Sequence, residues 1–489
     1  MKLLMIGMDG VQQATFKRGW TPFIESLISG GAALNLEEDL ISRGWAEIFT
    51  GRHATETGTL YERPVLDGTY VWTDKCRLDG IPGLGAAIKP LWQVLNERGY
   101  RVGIMNVPTT NPAPQVDGFF VSGGGGGRGV QQTVAPEQCY PVEIKTTLDE
   151  MQYIVDERLG SLLREKGLFE PEGYFSQLSA MTERRTGSFI RLGKELNIDF
   201  GFLVYRSSVM AEQVLLPELR RQERGEPVNQ ELLDAGAEFF RQLDSHVESL
   251  VEAFPEAEVV LVSDHSTAAR EYTVNFNALL RELGYQQQPR ARRGGFHLIR
   301  RLRKALPSRW VRRVKQVQGA QRMYRSFASF DPRQTQAFNV SHAAAAHGIY
   351  INDESRFGGP VSQAEKANLC ERIIADFNQH PEVQRHQMRA FLPAVPEGDF
   401  RQAYPDIFVR MPEGYMPFNE YPVFVKEFER RNEPIDLPDL IEKDGRVSVK
   451  GHYPLAVVWN GEWRCSPRQG AADLRLIYEH VLSFFQAPE

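Results

Sequence analysis

The stretch Lys2–Met8, KLLMIGM, is a run of mostly apolar residues that ends at Asp9-Gly10. A strand that is covered on both faces of a sheet has this pattern, because both of its side-chain rows are buried. Asp9 would then lie at the carboxyl edge of the sheet, where open α/β sheets bind their ligands. The run therefore predicts a central parallel strand with a functional aspartate directly after it.

Similar runs recur along the chain and alternate with helical segments. The runs are Arg101–Val107, Phe200–Tyr205, Val259–Ser263, Ile349–Asn352 and Leu455–Trp459, and the helical segments include Pro90–Arg98 and Asn229–Phe254. Strands that alternate with helices are typical of a doubly wound α/β fold. We therefore predict a mostly parallel sheet between two layers of helices, an α/β/α sandwich.

The composition is that of an ordinary globular protein. Of 489 residues, 42% are hydrophobic and 25% are charged. No segment approaches the roughly 18 apolar residues that a membrane span needs. The four cysteines are far apart and lack metal-ligand spacing, which favours a reducing compartment. We expect a cytoplasmic protein, and the sequence leaves its oligomeric state open.

A basic block interrupts the α/β pattern between residues 286 and 330. Thirteen Lys or Arg residues and no Asp or Glu lie from Arg290 to Arg325, although the net charge of the chain is −6. Apolar residues recur there every three or four positions, with a break at Pro307, which predicts two short amphipathic helices. We interpret 286–330 as a helical cap inserted into a core made of 1–285 and 331–489.

Three roles are open for this basic cap. It is a solvated cover, a lip over an acidic substrate, or a segment that contacts an anionic membrane or polyanion through 290–325. Because the rest of the chain is acidic, we do not expect nucleic-acid binding.

Acidic and imidazole side chains follow two of the predicted strands. Asp264-His265 comes directly after Val259–Ser263, so these side chains would reach the sheet edge that Asp9 occupies. Carboxylate oxygen and imidazole nitrogen are ligands that suit Zn²⁺ or Mn²⁺. His452, shortly before the run Leu455–Trp459, is a third candidate ligand.

Ser42 lies in the stretch Ile41–Gly51, ISRGWAEIFTG, just before a predicted helical segment. A hydroxyl at a helix N-terminus lies where free N–H groups favour an alkoxide and a bound phosphate. If a metal also binds that oxygen, the serine becomes a nucleophile near neutral pH. The alternative is that Ser42 is a simple helix N-cap.

The order of these motifs resembles the alkaline phosphatase superfamily. Its type I phosphodiesterase/nucleotide pyrophosphatase-like branch is the most similar, and the resemblance runs from residue 1 to about residue 460. The stretches that carry it are Asp9-Gly10, GWAEIFTGRHATETG, RVGIMNVPTTNPAPQVDGFFVSGG, Ser263-Asp264-His265, NFNALLRELGY, HGIYINDESRFGGPV and Gly451-His452. The resemblance implies a metal-dependent hydrolase of phosphate esters that forms a phosphoserine at Ser42.

The resemblance also implies one or two divalent ions, Zn²⁺ or Mn²⁺. The first ion would be held by Asp9, Ser42, Asp264 and His265. Ser42 departs slightly from the family pattern, because it lies eight residues before Thr50, one fewer than is usual.

The second ion would be held by His452 and by an Asp and a His from a DxxxH turn. After Phe200–Tyr205 this chain has Ser208 at the Asp position and Glu212 at the His position. Glu212 can bind a divalent ion, whereas an uncharged serine is a poor substitute for Asp. If the turn is misplaced, His342 and His347 are the next candidates.

Two functions follow as hypotheses. The first is hydrolysis of a phosphorylated small molecule. The second is a weakened family member that binds a phosphorylated ligand or partner without efficient turnover, as the incomplete second site indicates. A sulfatase is excluded, because it needs a CxPxR-type motif at the nucleophile and none lies near Ser42.

Overall fold

The computed structural model describes most of the chain from Met1 to Gln486. The residues that it does not describe within this range are Thr69, Val71, Lys75, 124–132, 156–158, 289–329, 341–346, Glu420, 443–445 and 466–472. Nearly all of the predicted basic cap, 286–330, and also His342 lie outside the described residues. The two amphipathic helices and the polyanion contact therefore stay predictions, as do the proposed domain boundaries.

The described strands, numbered in chain order, contribute to one large sheet and several small ones. They are β1 (Leu3–Met8), β2 (Ala32–Ala33), β3 (Arg63–Pro64), β4 (Trp72–Thr73), β5 (Val102–Met105), β6 (Gly118–Val121), β7 (Cys139–Tyr140), β8 (Phe200–Tyr205), β9 (Glu258–Val262), β10 (Ser266–Ala269), β11 (Tyr272–Val274), β12 (Ala337–Phe338), β13 (Gly348–Ile351), β14 (Arg389–Phe391), β15 (Ile407–Arg410), β16 (Tyr415–Pro417), β17 (Val425–Glu427), β18 (Ser448–Gly451) and β19 (Ala456–Trp459).

The described α-helices alternate with these strands. They are α1 (Gln13–Phe16), α2 (Pro22–Gly30), α3 (Gly44–Thr50), α4 (Ala54–Thr57), α5 (Leu91–Glu97), α6 (Ile144–Glu150), α7 (Leu159–Arg164), α8 (Pro171–Glu195), α9 (Ser207–Glu223), α10 (Gln230–Ala253), α11 (Phe276–Glu282), α12 (Glu354–Phe357), α13 (Gln363–Gln379), α14 (Pro381–Arg385), α15 (Asp439–Glu442) and α16 (Arg475–Phe484). None of the described helices is long and apolar enough to span a membrane.

The large sheet has eight strands in the order β2-β19-β9-β1-β8-β5-β6-β7. The five strands from β9 to β6 are parallel, while β19, β2 and β7 pair antiparallel at the margins. The prediction of a mostly parallel, doubly wound sheet is therefore confirmed. Lys2–Met8 contains its central strand, β1, which is fully buried along its length.

Alternate residues of β1 enter two separate cores, because successive side chains of a strand point to opposite faces. Leu4, Ile6 and Met8 pack in the core that contains the apolar faces of α8 and α10. Leu3 and Met5 pack on the other face of the sheet, in the core that contains the apolar faces of α3, α5 and α16. Two helical layers thus cover the sheet, as an α/β/α sandwich requires.

Two of the predicted strands differ from the others in their pairing. The run Ile349–Asn352 does not join the large sheet, because β13 lies in a four-stranded antiparallel sheet, β12-β13-β15-β14. This sheet packs with α11 and α13 around a third core. The run Leu455–Trp459 does join the large sheet, but β19 runs antiparallel to β9. A short apolar run indicates a buried strand without indicating its partner or direction.

Candidate metal centre and active site

The carboxyl ends of three neighbouring strands deliver side chains to one edge of the large sheet. In β1, Leu3 pairs with Phe200 of β8 and with Glu258 of β9, so the three strands end level with one another. Asp9 follows β1, Arg206 follows β8, and Asp264-His265 follows β9 after one residue. The topology therefore brings together residues that are about 200 and 260 positions apart in sequence.

Asp9, Asp264 and His265 form the one group of metal-ligand type that the described residues contain. One ligand atom from each lies within 4.8 Å of the others, and all three side chains are buried. Gly10 makes room for this packing. Its φ is +65°, and a Cβ there would lie 2.9 Å from Cε1 of His265 and 2.5 Å from Val209. A side chain at this position would be both strained and in collision.

The imidazole of His265 is oriented with its lone pair toward the two carboxylates. Nδ1 lies 2.6 Å from the carbonyl oxygen of Ser266, which can only accept, so Nδ1 carries the proton. Nε2 then lies 3.8 Å from Oδ1 of Asp9 and 3.8 Å from Oδ2 of Asp264. Burial, with the nearby charge of Lys450, lowers the pKa of His265 to about 3, so the ring is neutral. Metal-binding histidines commonly have this backbone bond at the second nitrogen.

The two carboxylates have only part of their hydrogen-bonding capacity filled. Oδ2 of Asp9 accepts from the indole Nε1 of Trp45 at 3.2 Å, and Oδ2 of Asp264 accepts from the Tyr61 hydroxyl at 3.3 Å. Oδ1 of Asp264 is buried and finds no donor among the described residues. Burial raises the pKa of both groups, and for Asp9 the charge of Asp264 raises it further.

A divalent cation fits this donor set. Two carboxylates and a neutral imidazole converge, and the imidazole is fixed by its backbone bond. One carboxylate oxygen receives no hydrogen bond from the described part of the chain. These are the ligand types and the supporting contact that Zn²⁺ and Mn²⁺ sites use. The sequence-predicted ligands Asp9, Asp264 and His265 are thus brought together.

The sequence profile of the type I phosphodiesterase / nucleotide pyrophosphatase family matches residues 3–421. The chain belongs to this family. The match spans most of the chain, so the resemblance inferred from the motifs is confirmed. Comparison with curated proteins gave no match.

Several solved structures are similar to this chain over nearly its whole length. Phosphonoacetate hydrolase from Sinorhizobium meliloti 1021, in complex with phosphonoacetate, has a TM-score of 0.52 at 12% identity, over 99% of this chain and 96% of that one. Murine ectonucleotide pyrophosphatase / phosphodiesterase 5 has a TM-score of 0.46 at 10% identity, over 98% and 93%. Wild-type alkaline phosphatase PafA has a TM-score of 0.44 at 11% identity, over 94% and 92%. The first of these likenesses supports the α/β fold described above.

In this member of the phosphodiesterase family, Ser42 is not part of the acceptor group, which is Asp9, Asp264 and His265. It directly precedes Arg43, the N-cap of α3, and two residues later the helix packs on the cluster. At Gly44 a Cβ would lie 2.9 Å from Cβ of Asp264 and 2.7 Å from its carbonyl oxygen. The hydroxyl of Ser42 is fully buried and donates to Oδ2 of Asp39 at 2.9 Å. The structure does not make Ser42 the N-cap, because Arg43 holds that position.

Asp39 collects several donors around Ser42. Besides Ser42, its Oδ2 accepts from the Tyr404 hydroxyl at 2.7 Å and lies 3.3 Å from Nε2 of His53. Burial would raise the pKa of Asp39, but the hydrogen bond and charge of His53 hold it well below its usual value. For His53, burial opposes the charged form, yet the carboxylates of Glu47 and Asp39 raise its pKa. The Ser42 hydroxyl thus faces an ionised carboxylate.

The turn after β8 offers no pair of metal ligands to the cluster. The Ser208 hydroxyl donates to the carbonyl oxygens of Asp9, at 2.8 Å, and Tyr205, at 2.7 Å. Both carboxylate oxygens of Glu212 accept from the backbone N–H of Gln12, at 2.9 and 3.1 Å, and burial raises the pKa of Glu212 to about 8. Both side chains tie α9 to the loop after β1. The structure therefore leaves Glu212 outside the acceptor group.

His452 also lies outside the three-residue group. Its Nδ1 donates to the carbonyl oxygen of Glu38 at 2.8 Å, and its ring packs edge-on against His347, with 5.1 Å between the ring centroids. Burial lowers the pKa of His452, which keeps the ring neutral. His452 and His347 are thus brought together with each other rather than with Asp9.

The sequence reasoning missed four residues that contact the two carboxylates or the Tyr61 hydroxyl. These residues are Trp45, Tyr61, Arg206 and Lys450. For Arg206 a signal was available, because it is the first residue after a predicted central strand. For the other three the contacts depend on packing between distant segments.

Proposed function

We propose that this chain hydrolyses phosphate esters, using one divalent ion held by Asp9, Asp264 and His265, with Ser42 as the nucleophile. The observation that carries the proposal is the convergence of three acceptor atoms within 4.8 Å at the carboxyl edge of the central sheet. Membership of a phosphodiesterase and pyrophosphatase family supports the reaction type. The substrate would be a phosphorylated small molecule.

When bound, a divalent ion would polarise a phosphoryl oxygen and stabilise developing negative charge. The chain's own residues would do the rest. The Ser42 hydroxyl already donates to Asp39, which orients Oγ, and its proton passes to solvent as Oγ attacks phosphorus. The bond from phosphorus to the leaving oxygen breaks, and that oxygen takes a proton from solvent. Water then cleaves the phosphoserine, which releases phosphate or a phosphate ester and restores Ser42.

A specific observation supports the second hypothesis, binding without efficient turnover. The Ser42 hydroxyl is fully buried and faces Asp39 rather than the three acceptors. A nucleophile must reach its substrate, so this orientation has to change in a working enzyme. In the binding hypothesis the acceptor site holds the ion and the phosphorylated ligand, and Ser42 only supports Asp39.

The test compares metal content and turnover in the same preparations. The full chain is loaded with Zn²⁺ or Mn²⁺, freed of excess ion and assayed on aryl phosphate monoesters, aryl phosphate diesters and a pyrophosphate-bonded substrate. We expect bound metal and turnover that both require Asp264. Bound metal with no turnover on any substrate would establish the binding hypothesis, and absence of bound metal would contradict both.

We also propose a cytoplasmic location. The four cysteines are free thiols in the structure, which supports a reducing compartment. Fractionation of cells that express the tagged chain would test this. Recovery in an extracellular or periplasmic fraction would contradict it.

A further inference from the structure

The turn after β8 carries a positively charged side chain, Arg206, in the region where the family resemblance implies ligands for a second metal ion. The side-chain oxygen atoms of Ser208 and Glu212 form hydrogen bonds with backbone groups of the same region. Arg206, the first residue after β8, instead directs its guanidinium toward the cluster. Its Nε lies 3.5 Å from Oδ2 of Asp9.

A second positively charged side chain, Lys450, reaches the cluster from a different sheet. Lys450 lies on β18, which pairs antiparallel with β10, the strand that follows His265. Its ammonium group donates to the Tyr61 hydroxyl and lies 3.7 Å from the centroid of that ring. The same hydroxyl donates to Oδ2 of Asp264 at 3.3 Å. Tyr61 therefore links Lys450 to the second carboxylate, as Arg206 is linked to the first.

The two cations and the three acceptors differ in exposure. Asp9, Asp264 and His265 are all buried. The Arg206 side chain is 19% exposed, and Lys450 is partly exposed. The two cations are therefore the more exposed groups of the cluster, and an anion from solvent would reach them before the acceptors.

The formal charges determine what this site accepts. Among these five groups, the formal charges of the two carboxylates balance those of Arg206 and Lys450, and the His265 imidazole, which points its Nδ1 proton at the Ser266 carbonyl oxygen, offers Nε2 as an uncharged ligand. One divalent ion would then leave two positive charges, which match the two negative charges of a phosphate monoester. A phosphate diester carries only one negative charge. Ion pairs between guanidinium or ammonium groups and phosphate are among the stronger hydrogen bonds in proteins.

We propose that Arg206 and Lys450 bind the non-bridging oxygens of a dianionic phosphoryl group, so that one ion and two side chains act where a two-ion site would. This inference rests on the proposed function and specifies its substrate class, a phosphate monoester dianion. Arg206 and Lys450 are then substrate-binding residues, and the chain needs one ion rather than two.

The experiment measures phosphate affinity and metal content together. Wild-type protein and the variants Arg206→Gln and Lys450→Gln are loaded with Mn²⁺, their metal content is measured, and inorganic phosphate is titrated calorimetrically with and without the ion. We expect one ion per chain in all three proteins. Each variant should bind phosphate at least about tenfold more weakly, which corresponds to one charge-assisted hydrogen bond.

Control variants separate binding from folding and from general charge effects. Arg206→Lys and Lys450→Arg keep the charge and should recover most of the phosphate affinity. Lys145→Gln removes a partly exposed cation that pairs with Asp149 on α6, far along the chain from the cluster, and should leave metal content and phosphate affinity unchanged. If one Gln variant does not fold, the other Gln variant still tests the inference. The charge-conserving variant at the first position is then measured in place of the Gln variant that did not fold.

Two results would overturn the inference. The first is unchanged phosphate affinity in both Gln variants, which would mean that the cations only neutralise Asp9 and Asp264. The second is two tightly bound ions per chain in the wild type. Failure of the proposed function differs from both, because it would show as metal-loaded wild-type protein without turnover on any ester, or as wild-type protein without bound metal. Phosphate affinity in the metal-free titrations would then still test the two side chains.

Discussion

Nε2 of His265 lies 3.8 Å from Oδ1 of Asp9, and because the ring proton is on Nδ1, Nε2 has no hydrogen to donate to this oxygen. Oδ2 of Asp264 lies at the same distance from Nε2. Three buried acceptors without a shared donor repel one another, because each has lost its contact with water. A divalent cation between them would remove this penalty.

Asp264→Asn should lower the amount of bound metal. The substitution removes a charged ligand but keeps the shape of the side chain. A ligand that binds only the folded state raises its stability, so the wild type should melt at a higher temperature with Mn²⁺ present. The variant should lose most of this rise. Metal analysis and melting curves measure both effects, with the exposed Asp149→Asn as the control. Equal metal content in wild type and Asp264→Asn would place the ion elsewhere.

Ser42→Ala should abolish turnover and leave bound metal unchanged, since Ser42 lies outside the acceptor group. Loss of the hydroxyl removes one donor to Asp39, a partly buried carboxylate, and should cost about 1–3 kcal/mol of stability. Ser188→Ala is a suitable control because Ser188 is also fully buried, on α8. Activity that stays within a few-fold of wild type would show that Ser42 only supports Asp39.

Gly44→Ala should weaken metal binding and destabilise the fold. A Cβ at this position would lie 2.7 Å from the carbonyl oxygen of Asp264 and 2.6 Å from Cδ1 of Leu474. Either α3 or the metal-binding turn must then move. Gly160→Ala is the control, because a Cβ there meets nothing within 4 Å and helical Gly→Ala stabilises by about 0.5–1 kcal/mol. A Gly44→Ala variant with wild-type metal affinity would show that the contact yields without effect.

Glu212→Gln should reduce the pH dependence of stability. Burial raises the pKa of Glu212 from 4.5 to about 8, so the folded state holds this proton longer than the unfolded state. The stabilisation is complete below pH 4.5 and is lost as the pH rises through about 8. Glutamine resembles the protonated side chain and does not titrate. Between pH 5 and pH 8, the melting temperature of the metal-free protein should fall more steeply for the wild type than for Glu212→Gln.

The size of this effect gives a second check. Each unit of pKa shift corresponds to about 1.4 kcal/mol. Glu212 is fully buried, so we expect a difference of a few kcal/mol at most between pH 5 and 8. Parallel melting profiles of the two proteins would mean that the carboxylate is ionised throughout.

Restoring the family turn with Ser208→Asp and Glu212→His should not create a second metal site. The wild-type side chains hold the carbonyl groups of Asp9 and Tyr205 and the N–H of Gln12. Their replacement removes these bonds and places a new charge in a fully buried position. We expect a lower melting temperature and unchanged metal content. A gain of a second ion would show that the turn can rearrange to bind it.

The sequence alone determined the central part of the fold. The run Leu3–Met8 has no polar side chain, and a strand covered on both faces buries such a run completely. Its neighbours β8 and β9 follow the same pattern, so their end residues were predictable as one functional edge. Asp9, Asp264 and His265 were found in this way, because the ends of parallel strands must meet.

Only the tertiary structure decided the rest of the site. Three contacts depend on how loops and helices from distant parts of the chain pack together. Glu212 binds a backbone N–H, the Ser42 hydroxyl faces Asp39, and Lys450 reaches Tyr61. The side chains of a strand alternate between its two faces, so a strand can be recognised from consecutive residues. The partner of a side chain is instead set by packing between segments that are distant in sequence. A glutamate such as Glu212 can bind either a metal ion or a backbone amide, and the sequence does not distinguish these roles. The buried surroundings of the side chain decide which one it has.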